Sequence, residues 1–291
     1  VADTHTHLAS LEHIDPALAL ARASLAGLRF VVNVVDPTER ARDPKALLAD
    51  LDRWVAGCAA ILDAWAAQGA LDALGERPQV PEVRLLVGCH PHNASSFDEG
   101  ARAAMRELLA APITCGIGEI GLDYHYDLSP RDVQRAVFEE QLAWAVELDA
   151  PLSLHVREAH ADAAPIMRRT GLPAAGAVLH CFDLGPADAA PFQELGCVLG
   201  IGGAATFKRN APTREAVAQA PAGGVVTETD APYMSPEPLR GTLCEPAYTA
   251  LTMRLVADLR AEAAGEDPAL VYAQAWETAR RIFDRPAPLG A

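Results

Sequence analysis

Six of the nine histidines in this 291-residue sequence stand at or just beyond short apolar runs: His5, His7, His90, His92, His155 and His180. Two carboxylates, Glu119 and Asp230, share that placement. Imidazole nitrogen and carboxylate oxygen together suit borderline divalent metal ions. Asp3, His5 and His7 are spaced i, i+2, i+4, which on an extended strand puts all three on one face. Two imidazoles on one face make a chelate. Asp3 can join it, or orient a ligand from behind. A lone His-x-His is more often a solvated strand end, but that reading weakens when similar groups recur at the end of one apolar run after another.

Glu119 lies in Cys-Gly-Ile-Gly-Glu-Ile-Gly-Leu-Asp-Tyr. Flanking glycines allow close backbone approach. An unpaired carboxylate within such an apolar run would be costly, whereas one bridging two cations would not. His155 ends Pro-Leu-Ser-Leu-His, and Arg157, on the same face, can take an anionic oxygen with both arms of its guanidinium. His180 ends Ala-Val-Leu-His. Asp230 sits in Val-Val-Thr-Glu-Thr-Asp-Ala-Pro, on one face with Glu228, where it can hold a metal, accept a proton from water, or both. In Gly-Cys-His-Pro-His-Asn, His90 and His92 can ligate, protonate a leaving group or hold a phosphate. His13, His125 and His160 fall outside this group, and Cys89 and Cys181 read as buried packing.

These residues span 225 positions, so the fold must gather them. Short β-like runs occur at Val1–Thr4, Arg29–Val35, Val83–Gly88, Thr114–Gly118, Leu152–Val156, Gly176–His180, Cys197–Ile201 and Val225–Thr229. Helical patterns lie between most of them, and two more, Glu245–Ala264 and Pro268–Phe283, follow the last. Alternating strands and helices predict an α/β fold of the (β/α)₈ TIM-barrel type, in which the C-terminal strand ends form one mouth. The Ala- and Leu-rich stretch from 45 to 75 reads as an inserted long helix after the second strand. The whole of 1–291 reads as one barrel domain, with a frayed Pro-rich tail after Asp284.

With 24 basic and 39 acidic residues the formal charge is -15, which disfavours loose binding to polyanions except where metal ions invert the local field. None of the six cysteines forms C-x-x-C, no apolar run approaches membrane-spanning length, and no signal peptide is evident. The expectation is a cytoplasmic protein with no membrane association and no obligate protein partner. Val1 in place of Met is explained by a start codon read literally or by absent leading residues, in which case the first strand is clipped. No phosphate-binding glycine loop, G-x-S-x-G elbow or dinucleotide fingerprint is found.

Taken in order, Asp-Thr-His-Thr-His-Leu, Gly-Cys-His-Pro-His, Gly-Glu-Ile-Gly-Leu-Asp-Tyr, Leu-His-Val-Arg, His-Cys-Phe and Glu-Thr-Asp-Ala-Pro-Tyr resemble the TatD-like metal-dependent hydrolases of the amidohydrolase-type barrel superfamily. The resemblance runs from residue 3 to about 250. It implies two divalent ions (Mg, Zn or Mn), one held by His5, His7, Glu119 and Asp230 and the other by Glu119, His155 and His180. It also implies deoxyribonuclease activity from DNA ends. Two features depart from the family pattern: the long 45–75 helix, and Cys244 in Arg-Gly-Thr-Leu-Cys-Glu-Pro, where the family often has Asn. That cysteine removes an amide able to brace the loop after Asp230.

The leading expectation is phosphodiester hydrolysis of DNA ends or short single strands, with Asp230, Glu119, His92 and Arg157 as catalytic residues. Near the mouth the basic residues are few, namely Arg157, Lys208, Arg209 and Arg240, which is too few for a duplex track. The alternative is hydrolysis of an amide, ester or formyl group on a small metabolite by the same metals. A non-catalytic, decayed barrel is a third reading, and the complete ligand set argues against it.

Overall fold

The computed structural model describes residues 1–284. The Pro-rich tail read as frayed lies outside the described residues. Eight strands pair in parallel and in chain order: β1 (Ala2–Thr6), β2 (Phe30–Val35), β3 (Glu82–Val87), β4 (Thr114–Asp123), β5 (Leu152–Arg157), β6 (Ala177–Leu179), β7 (Cys197–Ile201) and β8 (Val225–Thr227). The edge strands meet at a parallel bridge between Thr6 and Ala231. Two hydrogen bonds reinforce the seam, from the Asp230 amide to the His5 carbonyl and from the His7 amide to the Ala231 carbonyl, each 2.9 Å. Three residues read as chemical thus lie in the seam between first and last strands.

Helices α1 (Pro16–Leu25), α2 (Pro44–Ala67), α3 (Glu99–Leu109), α4 (Arg131–Glu147), α5 (His160–Thr170), α6 (Pro186–Gln193) and α7 (Ala211–Gln219) each return one strand to the next, and α8 (Thr249–Ala264) and α9 (Pro268–Phe283) follow β8. Aspartates 15, 43, 98 and 267 cap helices by accepting amide hydrogen bonds within the first turn. The long helix expected after β2 is present, and it is the β2–β3 connection. Leu47, Leu51, Trp54, Cys58 and Leu62 recur every three or four residues along it and are buried. At 24 residues α2 is about 36 Å long.

Two elements differ from expectation. β4 runs on to Asp123 rather than stopping at Gly118, and its register against β5 shifts between Ile117 and Ile120. Such an irregularity re-aims side chains without ending a strand. α7 was not anticipated: only Thr213, Ala216 and Val217 are buried along it, too few to make a period visible.

The barrel floor is apolar. Phe30, Val32 and Val34 alternate inward along β2 and form one cluster with Leu86, Val178, Val198 and Val226. Ala279, Ile282 and Phe283 of α9 complete it, so α9 plugs the end where the strands begin. The opposite mouth, where the strands finish, carries no such plug among the described residues.

Candidate active site

The histidines and carboxylates predicted from sequence converge at that mouth. His5 and His7 come from the end of β1, and their rings stand 5.1 Å apart. Ser153 Oγ lies 2.9 Å from His5 Nδ1, which leaves Nε2 facing Glu119 Oε2 at 3.3 Å. This buried Nε2 has no hydrogen-bond partner. Buried polar atoms are ordinarily satisfied, and this one faces a carboxylate at the centre of the cluster. His7 Nε2 is 3.3 Å from Asp230 Oδ1 and 3.8 Å from Glu119 Oε2.

Glu119 is the hub. Its Oε1 lies 2.5 Å from His155 Nδ1, 3.5 Å from His90 Nε2 and 3.5 Å from His180 Nε2. The glycines around it explain how the backbone gets there. A side chain on Gly118 would meet Ser153 Cβ at 2.8 Å, and one on Gly121 would overlap the His155 carbonyl. Four residue groups bring ligand atoms within coordinating reach of one another: His5–His7–Glu119, His90–Glu119–His155, His180–Cys181–Asp230 and His5–His180–Glu228. His180 stacks on His5, with ring centroids 3.5 Å apart.

Charge density on this scale moves protons. Burial alone would raise the Glu119 carboxyl, but His90, His180, His155 and His5 outweigh it and hold Glu119 well below the usual range. Burial likewise opposes protonation of His155 and His180. Glu119 with Asp123 nevertheless pushes His155 up to about 9, and Glu228 with Glu119 pushes His180 up to about 10. His5 and His90 go the other way: burial lowers them, and neighbouring imidazoles reinforce the shift. Burial also opposes protonation of His7, but Asp230 raises it, so protons on His7, His155 and His180 offset part of the carboxylate charge.

Several supporting residues escaped the sequence reading. Asp123 accepts from His92 Nε2 at 2.9 Å and from His155 Nε2 at 3.1 Å, so it orients both rings. Its signal was available, because Asp123 stands at i+4 from Glu119. Asp36, just past β2, takes the His90 amide at 2.9 Å, while Gln141 of α4 bonds both backbone groups of Cys89. Together they pin the His-Pro-His loop. Asp3 lies behind the site: its carboxylate takes the Thr229 amide at 3.0 Å and the Thr229 hydroxyl at 2.6 Å. Burial nonetheless pushes Asp3 up to about 8.

Two expectations need correction. Glu228 and Asp230 do not share a strand face, because β8 ends at Thr227 and Asp230 turns to a φ of 56°. They reach His180 from opposite ring nitrogens, Glu228 Oε1 at 2.8 Å from Nδ1 and Asp230 Oδ1 at 4.0 Å from Nε2. Nor is Cys181 buried packing like Cys89. It is only partly buried and lies within ligand reach of His180 and Asp230. Burial, with the charges of Asp230 and Glu228, keeps its thiol protonated.

Other residues fall at the edge. Arg157 is exposed at the rim, its guanidinium 4.8 Å above the Tyr126 ring. His125 pairs with Glu158 on the rim at 2.7 Å, and His13 is exposed. Lys208 and Arg209 are exposed, and Arg240 lies over Phe207 at 4.4 Å. Cys244 is fully buried against the Asp230 loop. Its amide donates to the Pro232 carbonyl at 2.9 Å, and its sulfur is 4.0 Å from the Thr229 carbonyl. A backbone bond and a weak thiol contact hold the loop without a side-chain amide. No described helix is long and apolar enough to cross a membrane.

The chain is similar to several known proteins. The family model described as TatD related DNase matches residues 2–284. An uncharacterized metal-dependent hydrolase, YabD of Bacillus subtilis, is 36% identical over 201 residues, covering 69% of this chain and 77% of its own. The 3'-5' ssDNA/RNA exonuclease TatD of Pantoea vagans is 36% identical over 184 residues, 62% of this chain and 71% of its own. The crystal structure of YjjV, a TatD homolog from Escherichia coli K12, superposes with a TM-score of 0.77 at 25% identity, covering 98% of each chain. The chain belongs to the TatD-related DNase family of metal-dependent hydrolases.

Proposed function

We propose that the protein is a divalent-metal-dependent phosphodiesterase that removes nucleotides from the ends of single-stranded DNA. The observation that carries this reading is the meeting of five imidazoles, Glu119 and Asp230 in one mouth, with the buried His5 Nε2 facing Glu119 without a hydrogen bond. The donor set fits divalent cations: His5, His7, Glu119 and Asp230 would hold one, and Glu119, His155 and His180 the other, with His90 within reach of the second. When bound, the two ions would activate water and stabilise charge on the attacked phosphorus and the leaving oxygen.

The chain's own residues supply the rest. Burial opposes ionisation of Asp230, but the His7 hydrogen bond and the charges of His180 and His7 lower its carboxyl, which leaves it ionised and able to accept the water's proton. His92, oriented by Asp123, and Arg157 hold the phosphate. Relatives named 3'-5' ssDNA/RNA exonucleases support a strand-end substrate. The sparse basic rim fits a grip on roughly one to three phosphates rather than an extended duplex.

The test compares a linear with a circular single strand in Mg²⁺, Mn²⁺ and Zn²⁺, beside a panel of small amides and esters. Cleavage confined to the linear strand is expected. Equal rates on both strands would remove the end requirement. Turnover of an amide or ester with neither strand cut would reject the nuclease reading.

A further inference from the structure

Two exposed tyrosines stand on opposite sides of the mouth. Tyr126 follows β4 and is 54% exposed, and Tyr233 follows β8 and is 58% exposed. In an eight-stranded sheet closed in chain order, β4 and β8 are four strands apart in either direction. Each tyrosine adjoins a different part of the metal-ligand cluster. The Tyr126 ring is 5.4 Å from that of His92 and carries the Arg157 guanidinium at 4.8 Å. The Tyr233 ring is 6.4 Å from that of His7, and its amide donates to the Asp230 carbonyl at 2.8 Å.

Their environment differs from that of Tyr124, whose hydroxyl donates to Asp162 at 2.7 Å. Neither the Tyr126 nor the Tyr233 hydroxyl bonds a described residue, so it is the rings that these two positions present. Large apolar groups left in water beside a charged cluster call for a ligand with flat apolar surface. Nucleobases have that shape, and every base offers a π face whatever its identity.

We propose that Tyr126 and Tyr233 are base-stacking platforms, one for the nucleobase on each side of the attacked phosphate, and that they make the site selective for unpaired strands of any base composition. This rests on the reading of the substrate as a nucleic-acid end. Within a duplex only the outer face of the terminal pair is uncovered, so two rings flanking one phosphate can both be filled only by bases unstacked from each other. Stacking also gives a strongly acidic chain a way to hold DNA with few phosphate contacts.

The experiment measures binding of a fluorescent, hydrolysis-resistant phosphorothioate oligothymidylate to the metal-loaded full chain, with a second strand lacking the bases at its end. Tyr126→Ala and Tyr233→Ala should each weaken binding about ten-fold, while Tyr→Phe at either position retains it. On the base-less strand the Ala variants should show no further loss, and bound metal per chain should be unchanged in all of them. Ala variants that bind like the parent, or that lose as much on the base-less strand, would overturn the stacking role. Ring-dependent binding without hydrolysis of an unmodified strand would leave the platforms standing and reject the phosphodiesterase reading. Hydrolysis without ring dependence would do the reverse, and a parent protein that binds no strand would reject both.

Discussion

The two ends of the barrel handle charge in opposite ways. At the floor, Glu82, Arg84, Arg280 and Asp284 form a closed circuit: Arg84 pairs with Asp284 at 2.8 Å and with Glu82, and Arg280 pairs with both acids. Beneath it Phe283, Ile282 and Phe30 fill the interior. At the mouth, imidazoles crowd one another, His5 against His180 at 3.5 Å, and the buried His5 Nε2 makes no hydrogen bond. At the floor two cations face two acids, although Arg84 Nε is left without a hydrogen bond, whereas the mouth crowds imidazoles around its carboxylates with no lysine or arginine in the cluster. Proteins commonly accept such local destabilisation at functional sites and make it up elsewhere.

The contrast predicts that substitutions at the two ends break different things. Asp230→Asn should lower turnover by about a thousand-fold while the melting temperature stays near that of the parent. A variant keeping most of its activity at neutral pH would remove Asp230 from the chemistry. Phe283→Ala should cost about 3–5 kcal/mol of stability, read by denaturant unfolding. The protein that remains folded should bind metal as the parent does, and a loss of metal affinity in that fraction would show that the two ends are not independent.

The pH dependence of metal binding sharpens the same point. His155 and His180, raised to about 9 and about 10, carry protons at pH 7 in the metal-free protein. A ligand nitrogen must lose its proton before it can bind an ion. Affinity should therefore climb between pH 7 and pH 9, by about ten-fold per pH unit for each proton displaced. Calorimetry in buffers of different ionisation heat would count those protons, and a flat profile would contradict the assignment. Raised folded-state values also mean that these two imidazoles stabilise the metal-free protein below their ordinary range near pH 6.5, and that this contribution is lost as pH rises through 9 to 10. The smallest effect belongs to the rim: Arg157→Ala should raise KM several-fold on a single strand and flatten the logarithmic salt dependence by about one unit. An unchanged salt slope would mean that Arg157 meets no phosphate.

The barrel was legible because each strand is a short apolar run set off by turn or helix signals, and because strand-end histidines recur. α7 escaped because its buried face holds only Thr213, Ala216 and Val217. The course of β4 escaped for a different reason: a register shift is a relation between two strands, and Gly-Ile-Gly-Glu reads equally well as a strand end. The same limit applies to Ser153, Asp36 and Gln141. Each acts on the site through a neighbour distant in sequence, and nothing local to them announces it. Asp123 is the exception, since the i+4 spacing that joined Asp3 to His7 also joins Glu119 to Asp123.

The central proposal is that Glu119 would help to hold both cations. Anomalous scattering from crystals grown with Mn²⁺ measures this directly. The account predicts two peaks on either side of the Glu119 carboxylate, one reached by His5, His7 and Asp230 and the other by His155 and His180. A single peak, or two peaks of which neither touches Glu119, would contradict it.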